Sequence, residues 1–133
     1  MIFADTGALY ALLVEGDDKH EAAVAWWFSE ERAGPCVTTD YVLAELLNLM
    51  NARGKKQRAR AVAEDLRTGR LADMARVSEV DFNAAWSVYV DRHDKPWSFT
   101  DCTSYVVMQR LGIGTAFAFD ADFRQFGTVT VVP

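Results

Sequence analysis

Met1-Ile2-Phe3-Ala4-Asp5-Thr6-Gly7 is the stretch that decides the fold. An uninterrupted apolar run ends in a carboxylate, a hydroxyl and a glycine. Such a short, uniformly apolar run reads as a strand buried on both faces, which favours a parallel sheet covered by helices. Thr6 is placed to cap a helix over Ala8–Leu13. Asp5 then falls at the carboxyl end of a central strand, the edge at which open α/β sheets bind their ligands. The expectation is that Asp5 begins an acidic metal site and that later segments return to the same edge with further carboxylates.

The rest of the chain alternates strands with helical stretches. Glu15-Gly16-Asp17-Asp18 is a turn, and His20–Arg32 reads as a helix closed by Gly34-Pro35. Cys36-Val37-Thr38 is a short strand. Thr39 or Asp40 opens a helix to about Arg53, and Gly54 breaks it. Lys55–Thr68 is helical by its three- and four-residue apolar spacing. Leu71–Val77 leaves room for a short strand. Ser78 to Asp81 has capping-box spacing and opens a helix to about Arg92, packed through Phe82, Ala85, Trp86 and Tyr89. A helix from about Asp101 to Leu111 ends at Gly112. Thr115–Phe119 is a strand delivering Asp120, and Thr128–Val132 is a last strand. This alternation implies a single α/β domain over residues 1–133, with a mostly parallel central sheet between helical layers. Trp26 and Trp27 are neighbours on one helix, so one of them is expected to point away from the core.

The totals narrow the function. Half of the 133 residues are apolar, enough for a sizeable core. No apolar run approaches the ~18 residues of a membrane span, and no leader precedes the first strand, so a cytoplasmic protein is expected. Cys36 and Cys102 lack zinc spacing and read as small buried thiols. A net charge of −5 argues against binding nucleic acid by bulk electrostatics. It does not exclude a nuclease, since an acidic metal site supplies several of those charges. Positive charge is concentrated in Arg53, Lys55, Lys56, Arg58 and Arg60, either as a solvated helix face or as a contact for RNA or a partner protein.

Four acids stand out. Glu45 interrupts Val42-Leu43-Ala44-Glu45-Leu46-Leu47, and shares a narrow polar stripe with Tyr41 and Asn48. A carboxylate hemmed in by core positions needs a partner. Asp101 stands at a helix start, where the dipole favours an acid, and Ser98 to Asp101 has capping-box spacing. Capping and metal binding compete there, because an oxygen bonded to a backbone N–H is not free for a cation. Asp120 repeats the logic of Asp5. Asp122, two residues on, has the ordinary reading of a turn or cap acid. Carboxylates ~4 Å apart repel by roughly 4 kcal/mol at an effective dielectric of ~20, so a cluster of them takes up protons or a cation. Oxygen-only ligands favour Mg²⁺ or Mn²⁺, whose bound water can attack phosphorus. There is no GxSxG elbow, P-loop or GxGxxG, and His20 and His93 stand alone.

In this order, Asp5-Thr6, Ala44-Glu45-Leu46-Leu47-Asn48, Ser98-Phe99-Thr100-Asp101 and Phe119-Asp120-Ala121-Asp122-Phe123 resemble a PIN-domain ribonuclease, and among those the short VapC-type toxins of VapBC toxin–antitoxin modules. The resemblance spans residues 2 to about 127. It implies a three-layer α/β/α fold, and Asp5, Glu45, Asp101 and Asp120 as the acidic quartet around Mg²⁺ or Mn²⁺. Asp122 would substitute for Asp120 if the register shifts. Thr6 matches the family's small hydroxyl, whereas Gly7 departs from the serine often found next. Similar proteins cleave RNA, often tRNA or rRNA, to a 5′-phosphate and a 3′-hydroxyl. They are usually homodimers, silenced by a cognate antitoxin; an exposed apolar groove around Leu9, Leu12, Leu13 and one of the tryptophans is the candidate surface for it. Two other readings stay open: a different Mg²⁺-dependent phosphoryl-transfer enzyme, or a non-catalytic PIN-like domain that binds RNA or protein. Against a haloacid-dehalogenase-type phosphatase, no second aspartate stands two residues after Asp5.

Overall fold

A computed structural model of the protein describes every residue except Thr128. Its centre is β1 (Ile2–Ala4), hydrogen-bonded on one side to β2 (Cys36–Thr39) and on the other to β4 (Thr115–Phe117). Beyond β2 lies β3 (Asp73–Ala75), and beyond β4 lies β5 (Thr130–Val132). Every pairing is parallel. Thr38 Oγ1 also donates to the Ala4 carbonyl at 2.9 Å, tying β2 to β1 inside the core.

Successive crossovers run from β1 through β2 to β3 in one direction, and then return past β1 to β4 and β5. With right-handed crossovers, that reversal places the helices on opposite faces. α1 (Thr6–Leu13), α2 (His20–Trp27), α3 (Asp40–Ala52) and α4 (Lys56–Arg67) form one layer; α5 (Glu79–Asp91) and α6 (Phe99–Leu111) form the other. The reversal also makes the carboxyl ends of β1 and β4 a topological switch point, where the strands part and leave a crevice.

Several elements differ from the sequence reading. Thr6 does not cap α1 but is its first residue, and Asp5 holds the cap position. α2 ends at Trp27 rather than Arg32. Trp26 and Trp27 are both buried, because they flank one ring: Phe117 lies 4.5 Å from Trp26 and 5.8 Å from Trp27. Arg32 covers the outer side of Trp27, 4.6 Å from its centroid. Leu9 is fully buried, so only Leu12 and Leu13 of the expected surface groove are partly accessible. β4 stops at Phe117, and Asp120 caps a 3-10 helix, Ala121–Phe126, that the sequence reading lacked. The helix forms because Phe123 and Phe126 reach back to the core, where Phe123 stacks 6.3 Å from Phe3. The start of the last strand, expected at Thr128, lies outside the described residues.

α5 departs most. It buries Ala85 and Asp81, while Phe82, Trp86 and Tyr89 are 41%, 56% and 46% exposed. Instead of packing inward, Phe82 meets Tyr41 and Phe99, Tyr89 meets Phe99, and Trp86 stacks on Tyr89. Asp81 goes inside because it has work on two sides. It completes a capping box with Ser78, and it accepts two hydrogen bonds from the Arg110 guanidinium, each 2.9 Å. That guanidinium holds the Asp81 carboxyl below the usual carboxylate range.

Arg110→Ala leaves the Asp81 carboxylate buried without its cation. The expected cost is about 2 kcal/mol in urea unfolding at neutral pH, between the values for exposed and fully buried pairs. Because the Asp81 value is depressed on folding, the pair stabilises above the unfolded value of ~3.9 and its contribution fades as pH falls through the folded one. The wild-type advantage over Arg110→Ala should therefore shrink in acid.

Candidate active site

The sheet edge carries a cleft of about 320 Å³ at the switch point, lined by Asp5, Glu45, Asp101, Asp120 and Asp122 among others. Five carboxylates from four separate segments thus reach one place. Asp5 follows β1, where its N–H donates to the Phe117 carbonyl at 3.0 Å and fixes it beside β4. Glu45 comes from the second turn of α3, whose start is set by Thr39 Oγ1 accepting from Val42 N at 3.1 Å. Asp101 stands in the first turn of α6. Asp120 and Asp122 flank the start of the 3-10 helix.

Asp101 takes the capping role that the sequence set against metal binding. Its Oδ2 accepts from Ser98 N at 3.1 Å while its own N–H donates to Ser98 Oγ at 3.0 Å, a complete capping box. One of its two oxygens is therefore taken and the other is not. Asp120 Oδ1 is likewise occupied, accepting from Asp122 N at 2.9 Å.

Among the described residues, no cation faces this group in the way Arg110 faces Asp81. Burial pushes the Asp5 carboxyl up to about 8, helped by the charges of Asp101 and Glu45, with the Thr6 and Gly7 N–H groups pulling the other way. Burial also pushes Asp101 up to about 6; the Ser98 N–H opposes it, and Asp120 and Glu45 add to it. Asp122 is raised by burial and by Asp120. Thr6 Oγ1 lies at the same cleft, fully buried and without a hydrogen-bond partner.

These observations fit a hard divalent cation. The donors are oxygens only, their charges are coupled and uncompensated, and a buried hydroxyl beside them lacks a partner. Among the described residues, no three His, Cys, Asp or Glu side chains stand close enough together to hold an ion as they are placed. An open cleft is the arrangement Mg²⁺ uses when it keeps several waters and shares its shell with substrate phosphate.

The sequence reading did not include Gly7, Leu49 and Pro96, which also line the cleft. Leu49 had a signal, since it lies one helical turn after Glu45. A Cβ on Gly7 would meet Asp5 Oδ2 at 4.0 Å, an ordinary contact, so glycine is not sterically required there. His20 takes no part: its Nδ1 lies 2.7 Å from the Ala11 carbonyl oxygen.

The PIN domain pattern matches residues 2–129. The chain belongs to the PIN-domain family. This PIN domain is 37% identical to the 23S rRNA-specific endonuclease VapC20 from two strains of Mycobacterium tuberculosis, over all of the chain and 99% of the relative. The crystal structure of M. tuberculosis VapC20, a toxin that cleaves the sarcin–ricin loop, superposes with a TM-score of 0.90 at 34% identity, covering both chains in full. FitAcB from Neisseria gonorrhoeae shares the fold, with a TM-score of 0.67 at 18% identity over all of this chain and 97% of that one.

The raised carboxyls make stability depend on pH. Folded values above the unfolded ~3.9 mean that the folded chain holds these protons more tightly. Their contribution is full below about pH 4 and is lost as pH rises through about 6 for Asp101 and about 8 for Asp5. In chelator, Tm should fall by several degrees between about pH 5 and about pH 9. Mg²⁺ or Mn²⁺ should recover most of the loss at the alkaline end, and Asp5→Asn should remove the larger part of the dependence while leaving the part due to Asp101. Scanning calorimetry with and without the ion measures both.

Proposed function

We propose that this PIN domain is a Mg²⁺- or Mn²⁺-dependent endoribonuclease acting as the toxin of a toxin–antitoxin pair. The observation that carries the reading is the cleft itself: coupled, uncompensated carboxylates from four segments, beside an orphaned hydroxyl, at the switch point of a parallel sheet. Likeness to VapC20 across both chains supports ribosomal RNA, and the sarcin–ricin loop first, as the substrate to test.

Asp5, Glu45, Asp101 and Asp120 are the residues that would hold the ion, with Asp122 beside them. A bound divalent cation supplies charge stabilisation at phosphate oxygens and a water ready to attack phosphorus. The chain's own part begins with Asp5 and Asp101, whose buried carboxyls give up their raised protons in exchange for positive charge. Asp101 keeps Oδ2 on Ser98 N and offers only Oδ1, so its direction is fixed by the cap. Glu45 sits on α3 at the cleft, placed to orient water or accept a proton. Thr6 Oγ1 donates to whatever oxygen enters beside Asp5. The same reading includes a cognate antitoxin, a homodimer and a cytoplasmic setting.

The test is cleavage of a sarcin–ricin stem–loop RNA and of total ribosomal RNA, in Mg²⁺ or Mn²⁺. Wild type should cut, and chelator should abolish cutting. Asp5→Asn and Asp101→Asn should each lose at least about a hundredfold, the scale of removing a principal electrostatic group from an active site. Equal activity in all three proteins would overturn the reading.

A further inference from the structure

The basic stretch after α3 divides into two sides. Lys56 and Arg60 border a shallow hollow against α3. Arg53, Lys55 and Arg58 instead line two adjoining depressions of about 420 and 590 Å³, with Lys55 shared by both. Gly54, at a φ of +72°, lets the chain reverse there, and the Lys55 N–H donates back to the Met50 carbonyl at 2.8 Å. The turn is therefore fixed.

These depressions lie one helical turn beyond the acid cleft. Gly7 and Leu49 line the cleft; Tyr10 and Arg53, three and four residues further along the packed helices α1 and α3, line the nearer depression. From Glu45 to Arg53 the helix rises about 12 Å. A stacked nucleic-acid strand carries a phosphate every ~3.4 Å, so the turn sits about three to four phosphates from the cleft.

The α3 dipole favours a cation at Arg53, its C-cap, but the start of α4 does not. Lys55, Lys56 and Arg58 stand at the positive end of the α4 dipole, with no acid in its first turn. Among the described residues, Arg53, Lys55 and Arg58 have no ion pair, although Glu15, Asp17 and Asp18 border the same depressions from the α1–α2 loop. Both guanidinium groups are nonetheless held in place. Arg53 lies 4.8 Å over the Tyr10 ring, and Arg58 Nε donates to the Leu13 carbonyl at 3.4 Å, leaving its Nη groups to solvent. Held guanidinium groups suit the fork geometry of phosphate.

We infer that Arg53, Lys55 and Arg58 bind the sugar–phosphate backbone of the RNA strand leading away from the acid cleft, about three to four phosphates from the bond that is cut. This rests on the ribonuclease reading and names where its substrate runs.

The experiment is fluorescence anisotropy of a sarcin–ricin stem–loop RNA with Asp5→Asn protein, which keeps the probe intact, across a salt series. Adding Arg53→Gln, Lys55→Gln and Arg58→Gln should weaken binding at least about tenfold and flatten the slope of log Kd against log salt by about two. A charge-matched triple, Lys56→Gln, Arg60→Gln and Arg70→Gln, should change Kd less than about threefold. Asp17→Asn with Asp18→Asn should tighten binding. Melting temperatures of both triples and their parent check that each variant is folded under the binding conditions. Equal Kd and slope in parent and first triple, or equal losses in both triples, would overturn the inference. Cleavage by the otherwise wild-type chain is scored separately: binding through the turn without cleavage overturns the ribonuclease reading alone, and no binding by any variant overturns both.

Discussion

Burial of carboxylates beside one another is the constraint on which this structure turns. Asp5 sits at the end of a strand whose residues are completely enclosed, within reach of the charges of Asp101 and Glu45. The surrounding core carries that burden. Phe3, Phe117 and Phe123 pack behind the cleft, and the two tryptophans of α2 clamp Phe117. Dense packing holds side chains where their electrostatics alone would drive them apart. Protonation or a cation then supplies the missing balance.

The two capping boxes make the point by comparison. Ser78 with Asp81 and Ser98 with Asp101 have the same local design, each opening a thirteen-residue helix. One carboxylate meets Arg110 and is driven below its ordinary range; the other is buried beside acids and is driven up to about 6. Local sequence cannot separate the two, because the capping chemistry is identical. Surroundings brought from elsewhere in the chain decide which one is structural and which one faces the cleft.

That limit explains what was legible in the sequence. Asp5 and Glu45 could be read because each breaks an apolar pattern, and a broken pattern is visible locally. The parallel sheet followed from short apolar runs alternating with helical spacing. Asp120 was placed on the wrong element, since Phe117-Ala118-Phe119 looks like continuing strand and only contact with Phe3 rolls the next residues into a 3-10 helix. The outward aromatic face of α5 was missed for a related reason. Helical spacing identifies a stripe but not the side it faces, and Asp81 with its arginine took the inner position. Both tryptophans were kept inside by one shared phenylalanine, a long-range partner that the rule for adjacent helical residues does not consider.

Strand order has a last consequence, for the moment of synthesis. β1, the middle of the sheet, is made before either of its neighbours, and one of them, β4, is the fourth strand in chain order. Until β4 has been made, β1 has at most a single edge partner and Asp5 stands without Asp120. Nascent and prematurely terminated chains therefore have no complete acidic pocket. Whatever this pocket does to its target, it begins only after the segments carrying Asp101 and Asp120 have been made and have folded back onto β1.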